Sequence, residues 1–219
     1  MTEQLLPARF LFRFAAPCKK FAGAWTAIGV ALDESYRLPH LGELEGQRPW
    51  ADLRAGWNDT GLYFTVEVAG KHQAPWCREN RLEDSDGLQL WIDTRDTHNI
   101  HRASRFCHRF IFLPAGGGRQ LTEPVADQLL IDRARENANP VRPGHLKVAA
   151  KCDKQGYRLS VHLPTAAITG YQPTDHPKLG FTYFMFDREY GEQTFSVGLP
   201  FPFTNDPSLW GTLELNAGG

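Results

Sequence analysis

The chain has no apolar run approaching the roughly 20 residues that cross a bilayer, which excludes a membrane-spanning helix. Cysteine is scarce: Cys18, Cys77, Cys107 and Cys152 are widely spread over 219 residues, with no Cys-x-x-Cys pair. That is too sparse for a disulfide scaffold; two bridges are arithmetically possible, but free thiols are expected. Charge of one sign is also missing. Twenty-four Lys and Arg face 25 Asp and Glu, a net charge of −1, which argues against a nucleic-acid grip through bulk charge, a local basic patch aside. There is no GxSxG, HExxH, P-loop or dinucleotide glycine motif, so catalysis has little support. No repeat, heptad or composition break divides the chain, and a single domain over residues 1–219 is expected. The N-terminus lacks the basic-then-apolar layout of a secretion signal. As written the chain is expected in the cytoplasm; a trimmed chain destined for the outside would look the same.

What is present is aromatic and turn-rich. Hydrophobic residues are 42% and charged residues 22%, enough for a core and against disorder. Fourteen Phe and six Trp among 20 Gly and 15 Pro suit many short strands joined by turns. Phe10, Phe12 and Phe14 alternate as on a half-buried strand, and residues 25–32 can form another. The clearest segment is Asp52–Trp57, then Asn58-Asp59-Thr60-Gly61, then Leu62–Val68, which predicts a hairpin. Leu62, Phe64, Val66 and Val68 share one face; Tyr63, Thr65 and Glu67 share the other. Residues 88–93 repeat the pattern, with Leu88, Leu90 and Ile92 opposite Gln89, Trp91 and Asp93. Further strands are expected at 106–113, 146–150, 157–163, 179–186, 193–199 and 209–215. Propensity alone suggests a helix over 126–137, and 164–168 a single helical turn. About ten strands with almost no helix predict an all-β, two-sheet antiparallel sandwich, jelly-roll-like, with long loops.

Five stretches, in order, resemble the family 9 carbohydrate-binding modules and their DOMON-like relatives. They are Trp57-Asn-Asp-Thr-Gly-Leu-Tyr-Phe-Thr-Val-Glu-Val, Ser85-Asp-Gly-Leu-Gln-Leu-Trp-Ile-Asp93, Gly156-Tyr157 through Pro164, Leu179-Gly180-Phe181 through Asp187, and Trp210-Gly-Thr-Leu-Glu-Leu215. They span roughly residues 52–215. The resemblance implies a β-sandwich that binds an oligosaccharide or polysaccharide without catalysis, linked to glycan or xylan breakdown. Such modules often carry bound calcium, but no oxygen-ligand run with a recognisable loop spacing is present, so no cofactor is expected and calcium stays open as the alternative. Two positions depart from the family pattern: Glu83 stands where an aromatic precedes the acidic strand, and Gln89 replaces a strand Glu. Trp76, seven places before Glu83, can substitute for that aromatic if its loop folds back.

Sugar binding needs an aromatic face for C–H stacking and planar polar groups at its rim. Tyr63, Glu67, Gln89, Trp91 and Asp93 offer these from one sheet face, Arg109 or His108 extends it, and Asp187 lies nearby. Trp76 is the tryptophan expected to be most exposed; Trp57 and Trp210 are expected in the core. If a second sheet or loop covers Trp91, that ring is core as well. The basic loop 93–109 carries His98, His101, Cys107 and His108, residue types that ligate zinc or copper. Their spacing matches no zinc pattern, and neighbours Cys107 and His108 would face opposite ways. The loop arginines can pair with Glu83, Asp84 and Asp86, or clamp an anionic sugar. Alternatives from other classes stay open: a glycan hydrolase using a carboxylate pair such as Asp93 and Asp187, a metal-dependent enzyme at the His/Cys loop, or a protein-interaction domain that has lost its ligand. Oligomeric state is not readable.

Overall fold

The computed structural model describes residues 6–199 and 201–216. After a single helical turn, α1 (Ala8–Leu11), eleven strands follow: β1 (Ala15–Lys20), β2 (Ala51–Asn58), β3 (Gly61–Ala69), β4 (Gly87–Asp93), β5 (Cys107–Gly117), β6 (Glu123–Leu129), β7 (Lys147–Asp153), β8 (Gly156–Pro164), β9 (Lys178–Asp187), β10 (Gly191–Thr194) and β11 (Gly211–Asn216). They form the continuous order β6-β5-β4-β9-β11-β1-β2-β3-β8-β7, with β10 paired to β9. The sheet folds over at β1, which runs parallel to both β11 and β2; all other pairings are antiparallel. The result is the predicted all-β sandwich. Its end strands β6 and β7 approach each other, so the body nearly closes.

Alternation dictates the core. Leu62, Phe64, Val66 and Val68 of β3 pack against Leu88, Leu90 and Ile92 of β4 and against Phe181 and Tyr183 of β9. Phe64 lies parallel to Phe181 across the layers, with ring centres 6.0 Å apart. Both hairpins form where expected, β2–β3 and β7–β8. Asn58 Oδ1 accepts the Thr60 N–H at 2.9 Å, closing the first turn. Gly61 then opens β3 at φ +144°, where a Cβ would sit 2.0 Å from the Leu163 carbonyl oxygen. All four thiols are unpaired; Cys18, Cys77 and Cys107 are buried and Cys152 is exposed.

Four local expectations are corrected. Residues 9–14 are not a strand: the chain turns at α1 and Phe12 stays exposed, while the Arg9 guanidinium reaches Glu45, the Thr194 hydroxyl and the Ser196 carbonyl. Anchoring that buried cation, rather than sheet pairing, sets this segment. Residues 25–32 are a loop with a lone bridge from Thr26 to Gly29, tied to the sheet by Ser160 Oγ–H donating to the Val30 carbonyl. The proposed helix at 126–137 is instead β6 followed by irregular chain. Pairing of Val125–Leu129 with β5 outweighs helix propensity there. The strand expected over 193–199 ends at Thr194, because the following chain leaves the sheet to cover Trp91.

Candidate functional site

The outer face of β4 carries Gln89, Trp91 and Asp93, as alternation predicted, but the face is not open. Trp91 is 1% exposed. Its Nε1–H donates to the Thr204 carbonyl at 3.1 Å, and Phe203 meets the ring edge-on at 5.5 Å. Val197, Phe203 and Trp210 join it in a second apolar cluster. The Arg109 guanidinium carbon lies 5.0 Å from the indole centre. The expected uncovered indole is thus corrected: Val197, Phe203, Thr204 and Trp210 roof it.

Beside that roof an open hollow of about 430 Å³ remains. Its aromatic lining is Phe184 and Phe186 of β9, with Phe203 and part of Trp91. The two β9 rings are half-buried and nearly parallel, 6° apart in orientation with centres at 6.4 Å. Residues two apart on a strand point the same way, so β9 itself builds this platform while Phe181, Tyr183 and Met185 fill the core behind it. The rim is polar. Arg109 forms an ion pair with Glu83, and its Nη2 donates to Gln89 Oε1 at 2.7 Å. Gln89 Nε2 makes no hydrogen bond among the described residues and is left to serve the hollow. Arg81 pairs with Asp84. Arg188 and Glu192 complete the charged lining.

One buried carboxylate sets the upper rim. Asp86 accepts the backbone N–H of Trp76 at 3.0 Å on one oxygen and that of Arg188 at 3.0 Å on the other. The loop after β3 therefore does fold back, and it brings the Trp76 ring 3.4 Å from the Arg188 guanidinium carbon. Arg78 and Arg81 lie over the same ring at 5.2 and 5.8 Å. Trp76 is half-buried beneath these cations and supports the rim rather than flooring the hollow. Below it, the Lys71 ammonium, 1% exposed, contacts both Asp187 oxygens and lies 3.6 Å from Asp86. Burial pushes the Asp86 carboxyl above the ordinary range, the neighbouring Asp187 charge adds to this, and the two backbone donors and Lys71 oppose it.

The hollow thus gathers Gln89, Trp91 and Arg109 from the predicted set, with Trp76 at its margin. Tyr63 and Glu67 are elsewhere: β3 lies in the opposite layer, with four strands between it and β4. Tyr63 is buried against His162, ring centres 4.3 Å apart, and Glu67 pairs with Arg158. Asp93 is a turn-former, accepting the N–H groups of Arg95 and Thr97, and burial raises its pKa. Asp187 is spent on Lys71. Asp93 ends β4 opposite Gly180 while Asp187 lies beyond the other end of that strand. Seven residues at about 3.3 Å each exceed the separation a hydrolytic carboxylate pair requires. Phe184, Phe186, Arg188 and Glu192 were missed. The run 179–186 is apolar apart from Gly180 and Thr182, and these two share the parity of Phe184 and Phe186, which was the available signal for an outward face.

The His/Cys loop does not assemble. His98 contacts Asp96 and Thr212, His101 contacts Asp206 and Ser208, and Cys107 is buried beside Trp91. No cluster of three or more His, Cys, Asp or Glu suited to a metal occurs among the described residues. Of the loop arginines, only Arg109 reaches the 83–86 acids; Arg95 and Arg102 donate to backbone carbonyls and Arg105 lies near Glu136. His108 is buried, with Nε2 at 3.4 Å from the Thr169 carbonyl and Nδ1 unpartnered among the described residues. Burial pulls its pKa down to about 4. The unfolded chain takes up that proton near pH 6.5, so its effect on stability is absent above pH 6.5 and grows as pH falls toward 4. By pH 5 the loss is expected to be about 2 kcal/mol. Urea unfolding at pH 7 and pH 5 checks it; a His108→Phe variant with the same acid deficit as the parent would refute the assignment.

No protein-family model matches the sequence, and no curated protein matches it significantly. Solved structures do match. A family 9 carbohydrate-binding module from Caldicellulosiruptor kristjanssonii in complex with cellotriose superposes with TM-score 0.63 at 11% identity, over 94% of this chain and 95% of that one. A family 9 module from the same organism in complex with glucose gives 0.60 at 10%, over 94% and 97%. At such identity the likeness is one of fold, and it spans nearly the whole chain: this β-sandwich has the architecture of the family 9 modules.

Proposed function

We propose that the protein is a non-catalytic carbohydrate-binding module, akin to family 9 and its DOMON-like relatives, and that an oligosaccharide sits in the hollow beside β4 and β9. The observation that carries this reading is the pair of parallel, half-buried rings, Phe184 and Phe186, flooring a half-open hollow whose rim keeps polar groups without protein partners. Stacking on such rings suits the C–H face of a pyranose, and Gln89 Nε2, Arg188 and Glu192 supply donors and an acceptor for hydroxyls. The fold likeness supports it, since the two neighbouring structures hold cellotriose and glucose. The enzyme readings find no support of this kind, because the candidate carboxylate pair is separated and the His/Cys loop is dispersed.

Titration calorimetry with neutral and acidic oligosaccharides tests the proposal. Phe186→Ala is expected to weaken binding about tenfold, the loss of one stacking contact of roughly 1.4 kcal/mol, with little change in melting temperature because the ring is half-exposed. Absence of heat with every saccharide offered would remove the reading.

A further inference from the structure

We propose that the saccharide received in this hollow is anionic, a uronic-acid-bearing chain whose carboxylate is taken by Arg188. The inference rests on the saccharide reading above and narrows its ligand class.

It comes from how the charged lining groups are used. Arg109 is committed to Glu83 and Gln89, and Arg81 to Asp84. Arg188 alone among the lining guanidiniums has no side-chain hydrogen bond or ion pair among the described residues. Yet it is not a loose surface cation. Its plane is held against Trp76 at 3.4 Å, and the backbone on both sides of that stack hangs from the Asp86 carboxylate. Stacking leaves the in-plane N–H donors free while fixing their direction. A planar fork held in this way matches a carboxylate through two parallel, charge-assisted hydrogen bonds. A neutral sugar would leave it solvated.

Glu192, exposed on the edge strand β10, is the other lining charge without an ion pair among the described residues. As an acceptor-only group it serves ring hydroxyls and repels a second carboxylate. The acid group of the ligand is thereby directed to Arg188 and the hydroxyl edge to Glu192. The ligand this arrangement fits has hydroxyls on one side and a carboxylate on the other.

Calorimetry with matched pairs decides the matter: glucuronate- and galacturonate-containing oligosaccharides, their methyl esters, and cellotriose. The acids are expected to bind at least tenfold tighter than their esters at low salt, with the ratio shrinking as salt is added. Arg188→Gln brings the ratio close to one, while Arg188→Lys, which keeps the charge and loses the fork, lowers it by less. Glu192→Gln weakens acid and ester alike and leaves the ratio unchanged or larger. Thermal unfolding confirms that each variant is folded. Esters binding as well as acids, or a ratio that survives Arg188→Gln, overturns the inference and leaves the saccharide reading standing. If no acid, ester or neutral sugar binds, the saccharide reading itself falls and takes the inference with it.

Discussion

Lys71→Met is expected to destabilise the protein by about 3–5 kcal/mol at pH 7. Lys71 is 1% exposed, and its ammonium is the cation seated between Asp187 and Asp86. Removing it leaves two carboxylates inside the protein with only backbone donors to hold them. Burial already drives the Asp86 carboxyl up, so without Lys71 Asp86 becomes protonated more readily. The deficit should therefore narrow between pH 7 and pH 5. Urea unfolding at both pH values measures it. A paired change, Lys71→Met with Asp187→Asn, should recover part of the loss, since taking away both halves of a buried ion pair is far milder than taking one. An unaltered midpoint for the single variant would show that the ammonium is not what neutralises the cluster. Because Asp86 holds the Trp76 and Arg188 backbones, the single variant should also weaken ligand binding without touching the hollow.

Trp91→Ala is expected to remove about 3–5 kcal/mol of stability, the range for truncating a large buried aromatic. The indole fills the space under Phe203 and Val197 and donates to the Thr204 carbonyl. Its loss leaves both a void and an unsatisfied acceptor. Phe186→Ala provides the contrast, with binding reduced and stability nearly unchanged. The two variants measured by denaturation and by calorimetry separate the structural aromatic from the ligand-facing one. If Trp91→Ala leaves the unfolding midpoint in place and abolishes binding, the roof over that indole is wrong.

The sandwich and the inward faces of β3 and β4 were legible because a period of two is written directly into Leu62–Val68 and Leu88–Ile92. The two hairpins were legible from their turn residues. What covers Trp91 was not, because the residues that do so are 113 positions away at Thr204, in irregular chain with no period to read. Strand order failed for a related reason. Strands consecutive in sequence usually lie side by side, which placed Tyr63 and Glu67 next to Gln89, whereas the chain crosses between layers from β3 to β4. The place of Trp76 was also unreadable: the loop returns to Asp86 and sets the ring against Arg188, where it supports the rim of the hollow and does not floor it. Only the long-range contact reveals that position.

The near-closure of the sheet bears on how the molecule meets its own kind. An unpaired strand border is normally a template on which a stranger's backbone can add itself. Here one border, β6, is dressed by Gln128, whose amide holds the backbone at Asn139 and Val141, and it leans toward the other, β7. Exposed Glu123 and Asp127 mark the first border, and Lys147 and Lys151 the second. With both borders guarded by charge and turned toward each other, end-to-end polymerisation through added strands is disfavoured.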